Sequence, residues 1–395
     1  SLSSPRSPLS KTPKHVIFLT LSTFCHFYDT ITLLSILLFF VLTSNFFNLT
    51  GGSKRQQIIG DSSIVRSQTL PIALSSSISS SASSSSFLHH DVPSMTQEEF
   101  DNLFEEISNW GRWGAEDELG TLNTITADKK IEAAKLVLKG ISVSLELQLN
   151  KEADLVNQKP FEHEVFEFGG EEAFEGMDMS GLPQAAGDVF KIDYHGFGHS
   201  HMDALPHFAL GGKMYNGFAF EPNIPDGFER LGIENIGKEG VFTRGVLIDM
   251  PKYFGIDFLE PGESITIEDL NAWEKATGTK IESGDAVFIR TGRWVKVEKD
   301  GQWNFIEKAA GVHASVAKWL KDRDVSVIGC DGVSDVMPSG ILNKLNPFHE
   351  LAIVSLGMPI FDNLDLDLLA EVSTQEDRNT FLFVAAPLRV EGATG

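Results

Sequence analysis

Gly284-Asp-Ala-Val-Phe-Ile-Arg-Thr-Gly292 holds a short apolar run, Ala286 to Ile289, closed by glycine on both sides. A run of this length between turn residues is the pattern of a strand buried on both faces. Three further runs read the same way: Gly245-Val-Leu-Ile-Asp249, Val325-Ser-Val-Ile-Gly329 and Phe381-Leu-Phe-Val-Ala385. Helical spacing between them predicts helices near Thr266–Thr277 and Ser315–Lys321. Buried strands alternating with helices predict a mixed α/β core. Upstream, Thr96-Gln-Glu-Glu99 is a capping box, followed by Phe100, Leu103, Phe104 and Ile107 on one helical face. A second helix is expected from about Thr126 to Leu138, with Gly140 placed to end it. Val143, Leu145, Leu147 and Leu149 alternate with polar residues and predict a half-buried strand.

The chain has 395 residues and a net charge of −23. That acidity argues against nucleic acid or anionic lipid as a partner, because both need a basic face. There are two cysteines, Cys25 and Cys330, and no CxxC pair, so a thiolate zinc site is excluded. Any metal must be held by histidine and carboxylate, the ligand set of hydrolytic zinc or manganese.

The charge is uneven. Residues 1–94 carry six basic and three acidic residues, a net +3, which leaves −26 for residues 95–395. Within the first part, Val16 to Leu42 is strongly apolar and follows Lys11 and Lys14, as a signal anchor or single membrane span would. Asp29 inside it is costly for a span. Ser75 to Ser86 has the composition of a disordered linker. All eight methionines lie at or after Met95. This favours a working domain of residues 95–395, with 1–94 as an upstream extension. A chain begun at Met95 is expected in the cytoplasm, whereas one that keeps residues 16–42 is expected to be membrane-anchored or secretory.

The chemistry concentrates in His195-Gly-Phe-Gly-His199-Ser-His201-Met-Asp203-Ala-Leu-Pro-His207. Four of the seven histidines after Met95 fall here with one aspartate, all at odd positions. On an extended chain they project to one side. Burying several imidazoles beside a carboxylate without a metal is costly, so the pattern points to a divalent-ion site. An ion held there lowers the pKa of its water and polarises a carbonyl. His207, at the end of the cluster, suits the role of proton carrier.

The stretch resembles the cyclase family of metal-dependent hydrolases, which includes bacterial kynurenine formamidase and isatin hydrolase. His201, Asp203 and His207 match the second His, the Asp and the last His of the motif His-x-Gly-Thr-His-x-Asp-x-Pro-x-His. Phe197 stands where the first His belongs, so either His199 or, through a two-residue lengthening, His195 fills that place. The resemblance extends over 108–390. Asn109-Trp-Gly-Arg-Trp-Gly114 with Glu118-Leu-Gly-Thr-Leu-Asn123 looks like the opening segment. His349-Glu-Leu-Ala-Ile-Val-Ser-Leu-Gly357-Met-Pro-Ile-Phe-Asp362 is similar to the second metal segment, with Asp362 in place of a Glu.

The resemblance implies a swivelling β/β/α domain, a homodimer or larger homo-oligomer, and one or two zinc or manganese ions. Its expected ligands are His195, His199, His201, Asp203, His349 and Asp362, with His207 catalytic and no organic cofactor. The implied activity is hydrolysis of an amide, formamide or lactone-type carbonyl in a small-molecule substrate by a metal-held hydroxide, as in an arylformamidase. Two other readings stand beside it: an inactive metal-binding protein on the same fold, and a membrane-anchored relative. His313, Asp331, Asp335 and Asn216-Gly217 read as ordinary loop or helix-start residues.

Overall fold

In the computed structural model, which describes residues 92–167 and 185–395, three of the apolar runs read from the sequence form the centre of one mixed sheet, whereas Phe381–Ala385, read as buried on both faces, is its antiparallel edge strand with only Phe383 buried. The strands are β1 (Glu162–Glu167), β2 (Ala186–Lys191), β3 (His201–Asp203), β4 (Val241–Asp249), β5 (Ser264–Ile265), β6 (Ala286–Arg290), β7 (Gly311–Val312), β8 (Val327–Cys330), β9 (Ile360–Asp362) and β10 (Thr380–Ala385). The six-stranded sheet has the order β10-β4-β6-β8-β9-β3. Its four inner strands are parallel, and β10 and β3 close the edges antiparallel. The parallel centre explains the unbroken apolar runs, since both faces are covered. Val287 and Ile289 of β6 join one core with Val246, Ile248 and Ile328, while Ala286 and Phe288 join the other with Leu247 and Val327.

The helices are α1 (Gln97–Ile107), α2 (Ala127–Ala134), α3 (Ile233–Ile236), α4 (Met250–Phe254), α5 (Ile267–Thr277), α6 (Arg293–Asp300), α7 (Val316–Asp322), α8 (Pro347–His349, continued by the π-helical Glu350–Leu356) and α9 (Asp367–Gln375). The Thr96–Glu99 capping box closes as read, and Thr266 with Asp269 makes a second one on α5. The mixed α/β class is therefore observed.

Two expectations are corrected. Helix α2 ends at Ala134, not Leu138, because the next amides bond three residues back and tighten the chain into a turn. Val137 and Leu138 are exposed, so no packing holds a last helical turn. Residues 143–149 do not form a strand. Val143 and Leu145 lie against the second core, but the segment meets the sheet only through single bonds, such as Asp365 N–H to Leu145 O (2.9 Å) and Leu147 N–H to Ser200 Oγ (2.8 Å).

The expectations for Val16–Leu42, the Ser-rich tract and Cys25 lie outside the described residues. Among the described residues, no helix is long and apolar enough to cross a membrane.

One close approach ties the opening segment to the helix that carries His349. Gly120, at φ +57°, lies so near the backbone of Gly357 that a Cβ there would sit 1.9 Å from the Gly357 oxygen. The adjacent Thr121 N–H donates to that same oxygen at 2.8 Å. A Gly120→Ala chain is expected to lose at least about 3 kcal/mol, combining left-handed strain with a backbone clash. Urea denaturation read by tryptophan fluorescence checks this; a midpoint within error of the parent would mean the two backbones separate freely.

Candidate metal centre

The two sequence motifs meet at the sheet edge. In the antiparallel pairing of β3 with β9, His201 lies opposite Asp362 and Asp203 opposite Ile360. Side chains of residues directly opposite, and of residues two apart, share a face. His201, Asp203 and Asp362 therefore stand on one face, while Met202 and Phe361 turn to the second core. Helix α8 brings in His349, and the loop before β3 brings in His195. The odd-numbered alternation holds only across His201–Asp203; residues 205–207 form a 3-10 turn that lifts His207 back over the cluster.

Asp203 is the hub. Its Oδ1 lies 3.0 Å from His195 Nδ1, 3.4 Å from His201 Nε2 and 3.8 Å from His207 Nε2. Its Oδ2 lies 3.5 Å from His349 Nε2, which is in turn 3.1 Å from Asp362 Oδ2. Two ligand sets result, His195–His201–Asp203 and Asp203–His349–Asp362, each with its ligand atoms within 4.8 Å of one another.

The outward nitrogen of each imidazole in these sets is occupied. His201 Nδ1–H donates to the His199 carbonyl (2.9 Å) and His349 Nδ1–H to Asp335 (2.5 Å), while His195 Nε2 pairs with Thr394 Oγ1 (2.9 Å). Each inward nitrogen is thereby turned toward Asp203, the arrangement that outer-shell partners impose on metal-binding histidines. His195 Nδ1 and Asp203 Oδ1, though 3.0 Å apart, are not aligned as a hydrogen bond, and both are buried without a partner. Two orphaned ligand atoms beside each other fit a divalent cation between them.

The electrostatics agree. Burial pushes the Asp203 carboxyl up, but His195, His201 and His349 outweigh it and hold the group well below the usual carboxylate range. Burial likewise opposes charge on His201 and His349, yet their carboxylate neighbours raise both, His349 strongly. Three buried carboxylates, Asp203, Asp335 and Asp362, call for positive charge, supplied by imidazole protons or by the metal that displaces them. His207 differs: burial dominates and lowers it to about 4, so it is neutral at pH 7. Its ring stacks on His195 at 3.8 Å between centroids and 5° between planes.

The structure does not bring His199 to the cluster. Its ring is buried with neither nitrogen aligned to a partner, and lies by the backbone of Lys159. The two-residue lengthening carries it past the site and puts His195 in instead. His313 pairs with Ser315 two residues on, the plain helix-start arrangement. Asn216, at φ +59°, binds the carbonyls of Gly114, Ala115 and Asp117.

Sequence reading passed over Asp335, which proves to support His349. Besides the ring, its carboxylate accepts the Phe348 N–H (2.7 Å) and the His349 N–H (3.3 Å). No spacing signal marks it, since it acts fourteen residues away across a loop. Thr394 is also unmarked in the sequence. An Asp335→Ala chain leaves three buried donors unpaired and is expected to lose about 3–5 kcal/mol. Denaturation of chelator-treated protein measures it; a loss under about 1 kcal/mol would show that Asp335 does not fix this ring.

Comparison with known proteins follows the same lines. The family model described as "Putative cyclase" matches residues 124–335, more than half of the chain. A solved structure described as a novel cyclase is 27% identical, with a TM-score of 0.64, over 74% of this chain and 95% of its own. Isatin hydrolase A from Ralstonia solanacearum is 21% identical, with a TM-score of 0.45, over 67% of this chain and 92% of its own. Isatin hydrolase A from Labrenzia aggregata, solved with benzyl benzoate, is 19% identical, with a TM-score of 0.41, over 64% and 89%. No curated protein matches the chain. The matched stretch includes the His195–His207 segment and strands β1 to β8, and this chain belongs to the cyclase family.

Proposed function

We propose that this chain is a metal-dependent hydrolase that opens an amide, formamide or lactone-type carbonyl at a two-ion centre. One observation carries the reading: one oxygen of the buried Asp203 faces His195 and His201, and the other faces His349, which also meets Asp362. The ligands are His195 and His201 on one side, His349 and Asp362 on the other, with Asp203 between them. The all-nitrogen-and-oxygen donor set suits zinc or manganese. Bound there, such an ion supplies an activated water and polarises the carbonyl.

The chain's own residues supply the proton transfer and the walls. His207 is neutral, a quarter exposed, and edges the Oδ1 side of Asp203. It takes a proton from the attacking water at Nε2 and returns it to the leaving nitrogen or oxygen. Stacking on His195 holds its ring in place. Phe208 packs edge-on to His207 (4.9 Å) and against His349 (5.1 Å), so an aromatic ring borders the proton carrier and the His349 side of the centre. Such a ring suits a flat aryl amide or lactam.

The test uses N-formyl anilines, cyclic amides and lactones as substrates. Hydrolysis is expected to vanish on chelation and return with zinc or manganese, and to vanish in Asp203→Ala. In His207→Ala, kcat is expected to fall by about 10²–10⁴ while metal content is kept. Full activity in chelated, metal-free protein would overturn the reading.

A further inference from the structure

His195 sits on a loop that needs an external anchor. Among the described residues, 195–199 make no backbone–backbone hydrogen bond. Three of the loop's carbonyls are instead taken by two side chains far along the chain. Asn363 Nδ2 donates to Gly196 O (2.7 Å) and to His199 O (3.0 Å), and Arg293 Nη2 donates to Phe197 O (2.7 Å). The two anchors are joined, because Arg293 Nη1 donates to Asn363 Oδ1 at 2.6 Å.

Arg293 is an unusual residue to find here. It is 3% exposed, with its guanidinium 3.9 Å from the Phe305 ring centre and 4.2 Å from that of Trp294. Among the described residues, its side chain has no ion pair within 4 Å, and Nη1 also reaches the Asp331 carbonyl at 3.5 Å. The neighbouring Asp331 carboxylate accepts the Thr291, Gly292 and Arg293 backbone N–H groups instead. A buried guanidinium whose donors go to an amide oxygen and loop carbonyls is expensive for stability alone. The same place is filled on its apolar side by Phe197, which packs on Phe305 at 5.5 Å within a small cluster with Val333 and Met337. No side chain of this group is in either ligand set, yet together they fix both ends of the loop that delivers His195.

We infer that Arg293 and Asn363 are positioning residues that set the loop carrying His195, and with it the affinity of the His195–His201–Asp203 set for its ion. The inference rests on the two-ion reading above. Asp203 is common to both sets, but His349 and Asp362, which complete the second, stand on α8 and β9 and do not use these bonds. Loss of the anchor therefore weakens one ion site selectively.

Asn363→Asp separates this from a general structural role. It keeps an acceptor for Arg293 and tolerates the left-handed backbone at 363 (φ +56°), but sets an oxygen against the Gly196 and His199 carbonyls. Calorimetric titration of the chelator-stripped full chain with zinc is expected to give two ions in the parent. In Asn363→Asp, one site is expected to weaken by about 10–100-fold, despite the added negative charge, with the other within about threefold. Amide exchange at 195–200 should rise in the metal-free variant. Arg293→Lys, which keeps the charge but loses the fork, carries the same expectation should Asn363→Asp not fold. Parent-like affinity at both sites, or equal weakening of both, overturns the inference. A parent that binds no divalent ion overturns the two-ion reading itself, and this inference with it.

Discussion

Asp203 is 1% exposed and has three imidazoles around one oxygen and one beside the other. Taking a carboxylate out of water costs several kcal/mol unless charge and hydrogen bonds return it. Much of the surrounding structure follows from that requirement. The β3–β9 pairing fixes the height of His201 and Asp362, and outward partners turn His195, His201 and His349 inward. Asp335 completes the balance on the far side of His349. Remove the cationic side of this arrangement and the carboxylate is left buried without compensation.

The place of the centre in the sheet has its own logic. The parallel strands β6, β8 and β9 all end on the same side, and ligands of open α/β sheets gather beyond such carboxyl ends. Arg293 follows β6, Asp331 and Asp335 follow β8, and Asp362 with Asn363 ends β9. The antiparallel β3 is only three residues long, yet it lies at the edge where an incoming loop reaches these ends without crossing the sheet. A short edge strand also offers little backbone for unwanted pairing. The scaffold is rigid where the ligands need height and irregular where they need reach.

Legibility in the sequence divided along physical lines. The runs around Leu247, Phe288 and Ile328 were readable because a strand buried on both faces cannot hide its composition, while the run around Phe383 gave a strand but not its edge position. Capping at Thr96 and Thr266 was readable or geometrically simple, being local. His201 and Asp203 were readable together because two residues on one strand share a face whatever the fold. The Val143–Leu149 alternation was misleading: burial alternates along any extended chain against a core, but a strand also needs a ladder partner, and that is not local. Thr394, Arg293 and Asn363 could not be read, and Asp335 was read only as an ordinary loop residue. Each acts on residues distant along the chain through hydrogen bonds that leave no periodic trace.

The choice between His195 and His199 shows how such silent partners govern the readable ones. Counting along the chain gives both residues an odd position and equal claim. The distinction lies in the loop's path, set by Arg293 and Asn363 gripping the carbonyls of Gly196, Phe197 and His199. Every residue carries a carbonyl, so this grip is indifferent to side-chain identity. It fixes where the backbone goes and leaves open which residue stands at which step. A loop held in that way accepts two extra residues if the gripped oxygens keep their places, and it hands the ligand position to whichever histidine then faces Asp203. Phe197, at the position where a histidine would stand in the shorter motif, is freed to fill the apolar space beside Phe305. The changed spacing thus keeps an imidazole beside Asp203 because the anchors read backbone rather than sequence.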